Sequence, residues 1–339
     1  MVAGAALATR PHIFDRSDPG GAGLPTPTPS RGAVVAGAAT LRATATIGGV
    51  GRRPQGIVVS PDGRRAYVPA VVSNTLAVLD LATGDVVRTI RMPTAPQYLA
   101  VNPDGTRLYV TLNDPDAEVN DVQVVDAVSG TLLNRIPVGR TPYIPAVSPD
   151  GKWLYVPDHD SSRIVVVELH TQRVVRRITA PEAPHDLAFT PDGRFLFSAD
   201  HESGVVTQID TATAETVRGI GSGPSPLALA LAPDGSRLAI ANYDDRSISL
   251  VDVEKGRTTA KVTVGQHPID VAFAADGRHV YVVNGGSDSV GVVDPVSARV
   301  TSTVDVGREP WAVAVAPRGD RAYVTNAGDD TVTVLDADG

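Results

Sequence analysis

Cysteine is absent from the 339-residue sequence, which excludes disulfide scaffolds, thiolate zinc sites, iron–sulfur clusters and cysteine nucleophiles. No apolar run approaches the roughly eighteen residues that a membrane-spanning helix needs. Basic residues are outnumbered, 30 against 38 acidic ones, and the formal charge of −8 argues against a surface for nucleic acid or anionic membranes. Hydrophobic residues still make up 42% of the chain, so most of it is predicted to fold around a large core.

The tripeptide Pro-Asp-Gly marks an internal repeat. Successive copies are 42 residues apart, except that the second and third are 46 apart. Degenerate copies at Ala275-Asp276-Gly277 and Pro317-Arg318-Gly319 bring the series to seven. The five intact copies start at Pro61, Pro103, Pro149, Pro191 and Pro233. Self-similarity at one fixed period is the signature of a repeat architecture.

Three further positions keep the same phase within each unit. A proline stands seven residues before each copy: Pro54, Pro96, Pro142, Pro184, Pro226, Pro268 and Pro310. An aromatic ring stands six residues after it in six of the seven units, with Ala239 as the exception: Tyr67, Tyr109, Tyr155, Phe197, Tyr281 and Tyr323. An acid then ends the third segment of each unit: Asp80, Asp126, Glu168, Asp210, Asp252, Asp294 and Asp336.

Each unit contains four short segments rich in Val, Ile, Thr and Tyr, which are separated by turn residues. In the first unit they are Gly56–Ser60, Arg65–Pro69, Thr75–Asp80 and Val86–Arg91. Pro-Asp-Gly suits a tight turn because Pro presets φ, Asp bonds locally and Gly accepts a positive φ. No stretch has helical periodicity. The pattern predicts an all-β chain whose residues 41–339 form a seven-bladed β-propeller with four antiparallel strands per blade.

The seventh unit contains only three of its four predicted strands. Leu41–Ile47 matches the missing fourth strand, which in the sixth unit is Val300–Val304. We therefore expect Leu41–Ile47 to pair with Thr331–Asp336 and to complete the last blade, because an unpaired third strand would leave a long exposed edge.

Residues 1–40 differ in composition from the repeats. Gly20–Ser30 is rich in Pro, Gly and Thr, which predicts a flexible N-terminal linker. Ala3–Ala8 resembles the small-residue end of a signal peptide, although a basic region before it is absent. The expectation is an extracytoplasmic, secreted protein, with a cytoplasmic one as the alternative.

Two of the late repeats carry a family resemblance. Tyr323-Val324-Thr325-Asn326 and Tyr281-Val282-Val283-Asn284, each followed by its acid, resemble the YVTN-type β-propeller repeat of the surface-layer and cytochrome-d1-like propellers. The resemblance covers residues 41–339 and supports the extracytoplasmic expectation. Because the motif is structural, it implies the fold and no particular chemistry. WD40 propellers match less well, since neither a Trp-Asp dipeptide nor a Gly-His signature occurs.

Candidate binding residues follow the marker prolines, where the innermost strand of each blade begins. We call this end of the propeller the upper mouth. Loops held by a rigid scaffold commonly carry function, and a mixture of apolar walls with a few polar groups is typical of a pocket. The residues directly after the prolines are Gln55, Gln97, Tyr143, His185, Leu227, Ile269 and Trp311. The next position adds Tyr98, Asp186 and Asp270.

A second set of loops at the same mouth breaks the repeat pattern. Three late units have Asn242, Asn284 and Asn326 at the end of the second strand, whereas the third and fourth have Asp158-His159 and Asp200-His201, followed by Glu202. We expect His159, His201 and His185 to lie together (the histidine cluster), with Asp158, Asp186 and Asp200 orienting the rings. His267 is expected at the rim. The cluster fits a polar recognition rim, an acid–base site or a metal site.

The sequence thus predicts a binding propeller that recognises a small molecule, a peptide or a protein partner at its upper mouth. The alternative is an enzyme, namely a lyase, lactone hydrolase or isomerase, in which His159, His185 or His201 acts as a catalytic base; this rests on analogy with other propellers. The only cofactor expected from these residues is a divalent metal. Nucleic-acid partners are not expected, and the protein is expected to be a monomer.

Overall fold

The computed structural model describes residues 40–114 and 119–338, which form seven four-stranded antiparallel sheets. In six sheets the strands follow chain order from the innermost to the outermost, and consecutive innermost strands contact each other around the ring. The innermost strand of blade 1 contacts that of blade 7, which closes the circle. The predicted seven-bladed, all-β propeller is therefore confirmed.

Each blade has four strands, named below from the innermost to the outermost. Blade 1 contains Val58–Val59, Arg65–Ala70, Thr75–Asp80 and Asp85–Arg91, and blade 2 contains Pro96–Val101, Arg107–Asp114, Val119–Asp126 and Leu132–Pro137. Blade 3 contains Ala146–Val147, Trp153–Asp158, Arg163–Glu168 and Arg173–Thr179, and blade 4 contains Pro184–Phe189, Phe195–Asp200, Val205–Asp210 and Glu215–Gly221. Blade 5 contains Pro226–Leu231, Arg237–Asn242, Ser247–Asp252 and Arg257–Thr263, and blade 6 contains Pro268–Phe273, Val280–Asn284, Ser289–Asp294 and Arg299–Asp305. Blade 7 contains Pro310–Val315, Arg321–Asn326, Thr331–Asp338 and the N-terminal Thr40–Ile47.

Helical structure in the described residues is limited to two short 3₁₀ turns, His159–Ser161 and Tyr243–Asp245. Each follows the second strand of its blade, at the upper mouth. No helix of the described ranges has the length and apolarity needed to cross a membrane.

The Pro-Asp-Gly turns lie at the end of the propeller opposite the upper mouth. Their seven glycines all have a φ between 69° and 77°, a backbone conformation that side chains disfavour. The aspartate closes the turn locally, as where the Asp62 carboxylate accepts the Arg64 backbone N–H at 3.0 Å. Local turn chemistry thus accounts for the most regular marker of the repeat.

The hydrophobic core is divided into layers between adjacent blades. Tyr155 of blade 3, for example, packs in one layer with Leu187 and Leu196 of blade 4. The repeated aromatic position belongs to these layers, and Phe197 is fully buried. Its regular spacing in the sequence therefore reflects blade packing and not a ligand site.

The N-terminal strand closes the last blade as predicted. Thr40–Ile47 pairs antiparallel with Thr331–Asp338, and the register skips Thr44 between Ala43 and Ala45. Because side chains alternate along a strand, this bulge turns the later residues to the other face. Leu41 consequently packs between blades 6 and 7, while Ile47 packs between blades 7 and 1. Similar register shifts occur in the outermost strands of the other blades.

Two innermost strands contain only two residues each. Blade 1 has Val58–Val59 where Gly56–Ser60 was expected, and blade 3 has only Ala146–Val147. Gly56 and Pro145 stand in these segments, and both residue types weaken a strand. An isolated bridge from the marker proline, Pro54 to Ala70 in blade 1, continues the pairing towards the mouth. The predicted linker and signal-peptide segment lies outside the described residues, apart from Thr40.

Candidate functional site

The residues that follow the marker prolines fill the upper mouth and do not line an open pocket. Gln55, Tyr143, His185, Leu227 and Trp311 are buried, while Gln97 and Ile269 are half-buried. Tyr98, at the next position, is buried as well. The predicted set of residues is therefore present at the mouth, but most of its members are covered by their neighbours.

Four of these side chains form a continuous layer of rings, the aromatic plug: Tyr98, Tyr143, His185 and Trp311. The rings of Tyr98 and Tyr143 stack at 5.7 Å between centroids, and Tyr143 lies 4.2 Å from His185. The Trp311 indole lies beside the Tyr98 hydroxyl and acts to lower its pKa, while burial, the larger effect, raises it. Burial raises the pKa of Tyr143 to about 12, so its hydroxyl stays neutral. The plug links blades 7, 2, 3 and 4.

The structure brings the histidine cluster together at the edge of this plug. His185 is the second residue of the innermost strand of blade 4, while His159 and His201 follow the second strands of blades 3 and 4. Backbone bonds hold both loops, since the His159 N–H donates to Thr141 and the His201 N–H donates to Ala183. The ring centroids are 6.3 Å apart for His159 and His185, 6.4 Å for His159 and His201, and 6.2 Å for His185 and His201.

Most ring nitrogens of the cluster have no partner in the protein. His159 Nε2 and both ring nitrogens of His185 and His201 are buried without a hydrogen bond. The backbone of Leu227 approaches the His185 ring, but not with hydrogen-bond geometry. Burial, together with repulsion from the neighbouring imidazoles, lowers the pKa of His185 well below its usual value and also lowers that of His201. Both rings are therefore neutral near pH 7, each with one free lone pair.

Two of the acids that were expected to orient the imidazoles accept hydrogen bonds from other groups of the protein instead. Asp158 accepts the Arg140 backbone N–H at 2.9 Å and so closes the loop of its own blade. Asp200 accepts the hydroxyls of Ser198 and Thr207. Burial raises the pKa of Asp200 to about 6, although both hydrogen bonds act to lower it. Neither carboxylate is bonded to a ring of the histidine cluster.

Asp186 and Asp270 connect neighbouring innermost strands. The Asp186 carboxylate accepts the Leu229 N–H of blade 5 at 2.9 Å, and Asp270 accepts the Val313 N–H of blade 7 at 2.8 Å. Burial raises the pKa of Asp186 to about 8 and that of Asp270 to about 7. This explains why an acid stands at the same repeat position in both blades, because each carboxylate accepts a backbone N–H of the next blade. We assign them a structural role.

Asp160, which the sequence reasoning missed, is the acid that contacts the cluster. Its Oδ1 lies 3.0 Å from His159 Nδ1, and its Oδ2 accepts the Thr141 hydroxyl at 2.6 Å. The only signal in the sequence was its position directly after His159. The exposed Glu202 and Asp244 act on His201 through charge and favour its protonated form. The cluster thus has an acidic rim.

The remaining candidate, His267, lies apart from the cluster. It is exposed and stacks on Tyr243 with 4.7 Å between ring centroids and 16° between ring planes. Two grooves, of about 710 and 480 Å³, lie between blades 1 and 2 and between blades 3 and 4. Both are at the Pro-Asp-Gly end, far along the strands from the histidines.

Comparisons with known proteins agree with the fold. Hydrazine synthase of Kuenenia stuttgartiensis superposes with a TM-score of 0.77 at 23% identity, over 84% of this chain and 95% of that one. A family model described as a YNCE-like beta-propeller matches residues 31–176. None of the curated proteins compared with the chain matches it.

A second family model, the cytochrome D1 heme domain, matches residues 119–316 and hence more than half of the chain. Histidine is a common axial ligand of haem iron, which makes the histidine cluster the place to test for haem. The five unpartnered ring nitrogens are all covered by protein atoms, and Tyr143 packs against His185. A macrocycle could not reach any of these nitrogens without displacing the rings, so the cluster does not fit haem. By its propeller repeats, the chain belongs to the cytochrome D1 heme domain family.

Proposed function

We propose that the protein is a binding propeller and that the histidine cluster at its upper mouth binds a small ligand. The observation that carries the proposal is the group of five buried ring nitrogens without a partner. Each buried polar group left unsatisfied costs about 1–3 kcal/mol, and native proteins keep very few of them. Five such nitrogens lie on three adjacent side chains, and a bound ligand would give them the partners that the protein does not provide.

The spacing of the rings favours a small ligand over a peptide or protein. With their centroids only 6.2–6.4 Å apart, the three rings could share nothing larger than an ion or a molecule of a few atoms. Tyr143 lies 4.9 Å from the His159 ring and 4.2 Å from the His185 ring, which holds both imidazoles in place. A site whose side chains are locked by packing is suited to selective binding. The four-stranded blades on either side hold the loops rigidly.

A catalytic role for the same site is favoured by one observation only. The His159–Asp160 pair has the 3.0 Å contact by which a carboxylate orients a general base. The other two imidazoles have no such partner. We therefore treat catalysis as the second candidate, in which the bound molecule would be a substrate.

The proposal is tested by identifying what the purified protein carries. Untagged wild type, the double variant His159→Ala/His201→Ala and the control His267→Ala are denatured, and the released species are analysed by mass spectrometry and elemental analysis. The wild type and the control should release the same organic molecule or ion in near-stoichiometric amount, and the double variant should release little. Equal release from all three, or none from the wild type, would contradict binding at the cluster.

A further inference from the structure

We propose that the groove between blades 3 and 4 binds a small aromatic carboxylate. This groove lies at the Pro-Asp-Gly end of the propeller, away from the histidine cluster, so the inference is independent of the proposed function and goes beyond it. We call it the aromatic groove and define it by five of the residues that line it: Trp153, Tyr155, Val175, Arg176 and Phe189.

The aromatic groove has the size and composition of a small-molecule site. Its volume is about 480 Å³, and ligand pockets of this size usually have mostly apolar walls with a few polar groups. The rings of Tyr155 and Phe189 meet edge to face, with 5.1 Å between centroids and 85° between planes. Trp153 and Phe189 are half-buried, and Val175 is 52% exposed. The flat ring of a ligand would therefore cover apolar surface that now faces water.

Two rings of the groove depart from the repeat. At the position of Trp153, four of the seven units have arginine: Arg65, Arg107, Arg237 and Arg321. At the position of Phe189, four units have valine: Val59, Val101, Val147 and Val315. The pair of blades 3 and 4 is the one pair of neighbouring blades that combines an aromatic residue at the first position with one at the second. Blade packing does not require these rings, since the other blades pack without the combination.

Arg176 departs from the repeat in its hydrogen bonding. Two other blades have arginine at the same position of the outermost strand, and both of these side chains are bonded within the protein. The Arg88 guanidinium donates to the Val128 carbonyl at 2.8 Å, and the Arg218 guanidinium donates to the Gln208 side-chain oxygen at 2.6 Å. Within the described ranges, Arg176 has neither a hydrogen bond nor an ion pair. Its donors are available to a ligand.

The Arg176 guanidinium stands beside the aromatic wall. Burial raises the pKa of Tyr155, and the charge of Arg176 acts to lower it, so this charge lies near the Tyr155 hydroxyl. A guanidinium pairs with a carboxylate through two parallel hydrogen bonds. With the ligand's ring against Trp153 and Phe189, its carboxylate would meet Arg176. Apolar and charged contacts together would then fix the orientation of the ligand.

Two carboxylates also line the groove, but each has a cation near it. Asp150 lies 3.3 Å from the Lys152 ammonium. Asp192 accepts the Arg194 backbone N–H at 3.0 Å and also interacts with the Arg194 charge. These cations offset the charges of both acids, whereas the charge of Arg176 has no such counterpart. Charge complementarity therefore favours an anionic group on the ligand over a cationic one.

The test titrates the untagged full chain with 2-naphthoate by calorimetry near neutral pH. The neutral 2-naphthylmethanol and the cationic 2-naphthylmethylammonium serve as comparison ligands. We expect one saturable site per chain for 2-naphthoate, and binding of both comparison ligands that is weaker by about tenfold or more, the loss expected for a charge-assisted hydrogen bond. Arg176→Gln should weaken 2-naphthoate binding by a similar factor. The matched control Arg88→Gln, at the equivalent position of blade 1, should not change it.

The aromatic wall is tested separately. Trp153→Leu and Phe189→Val should each weaken 2-naphthoate binding by about tenfold, and circular dichroism and thermal melting establish that the variants are folded. The chain has two tryptophans, so Trp311→Phe leaves Trp153 as the single fluorescent reporter. Its emission should change during the titration, to the same dissociation constant that calorimetry gives.

The proposal is overturned if the wild type shows no saturable binding of 2-naphthoate, if Arg176→Gln and Arg88→Gln have equal effects, or if Trp153→Leu binds as tightly as the wild type. The double variant His159→Ala/His201→Ala should bind 2-naphthoate like the wild type. Weaker binding by that variant would place the probe at the histidine cluster and would overturn the aromatic groove as a site. None of these failures bears on the proposed function, which is tested by what the purified protein releases.

Discussion

The closing strand offers a quantitative test of how the propeller is held together. Leu41 and Ile47 are 4% and 6% exposed and lie in different inter-blade layers, while Thr46 between them is exposed. Replacing Leu41 or Ile47 by alanine leaves a cavity in one layer. Thr46→Ala is the matched control on the same strand.

The expected size of the effect follows from burial. A buried Leu or Ile to Ala change costs about 2–5 kcal/mol, and the outermost position in the blade places both substitutions near the lower end, at about 2–3 kcal/mol. With about 2 °C per kcal/mol for a chain of this size, each variant should melt roughly 4–6 °C below the wild type. Because the two side chains share no layer, the effects should add in the double variant.

Thermal melting followed by circular dichroism measures all of these variants, together with two truncations. Deleting residues 1–30 should leave the melting temperature unchanged, since the closing strand begins at Thr40. Deleting residues 1–47 should lower it by more than the double variant does, because the backbone pairing with Thr331–Asp338 is lost as well. Equal melting of the two truncations, or a Thr46→Ala effect as large as that of Leu41→Ala, would refute the reasoning.

Two further predictions concern the loops and buried acids of the mouth. In Gly139→Ala the new Cβ would overlap the Asp158 carboxylate, so we expect the variant to melt several degrees below the wild type. Gly48→Ala is the control: its Cβ meets no atom within 4 Å, so its melting temperature should not change. Equal melting temperatures for the two variants would contradict the argument from close approach. Burial raises the pKa of Asp270 from an ordinary 3.8 to about 7, so its stabilising contribution is fully present below about pH 4 and is lost as the pH rises through about 7. We therefore compare the free energies of unfolding of the wild type and Asp270→Asn by urea denaturation. The difference between them should decrease from about pH 4 to about pH 8. A constant difference would show that Asp270 is ionised over the whole range.

Much of the fold could be predicted because the same local requirements of turn geometry and packing recur in seven units. The turn glycines need a positive φ, and the aromatic position needs a layer between blades, so both recur at a fixed spacing. The same phase placed His159 and His201 at equivalent positions on adjacent blades and His185 beside them, and the structure places the three rings together. Their role as a binding site stays a proposal.

The partners of individual side chains could not be predicted in this way. Asp186 and Asp270 appeared to be ligand contacts, but each accepts a backbone N–H from the next blade. Trp311 interacts with Tyr98, which is more than two hundred residues away along the chain. A repeat pattern predicts where a residue lies within its blade. It does not predict which hydrogen-bond donor of the neighbouring blade faces that residue.

By itself, the sequence determined the number of blades, the turn that separates the first two strands and the strand that closes the ring, because these depend on spacing and on local backbone preference. Only the tertiary structure decided which polar groups are satisfied. Asp158, Asp186, Asp200 and Asp270 find donors within the fold, while the imidazoles of His185 and His201 find none. Satisfaction of a buried group depends on atoms brought together from different blades, and that is why only the structure shows that the ring nitrogens of the histidine cluster have no partners.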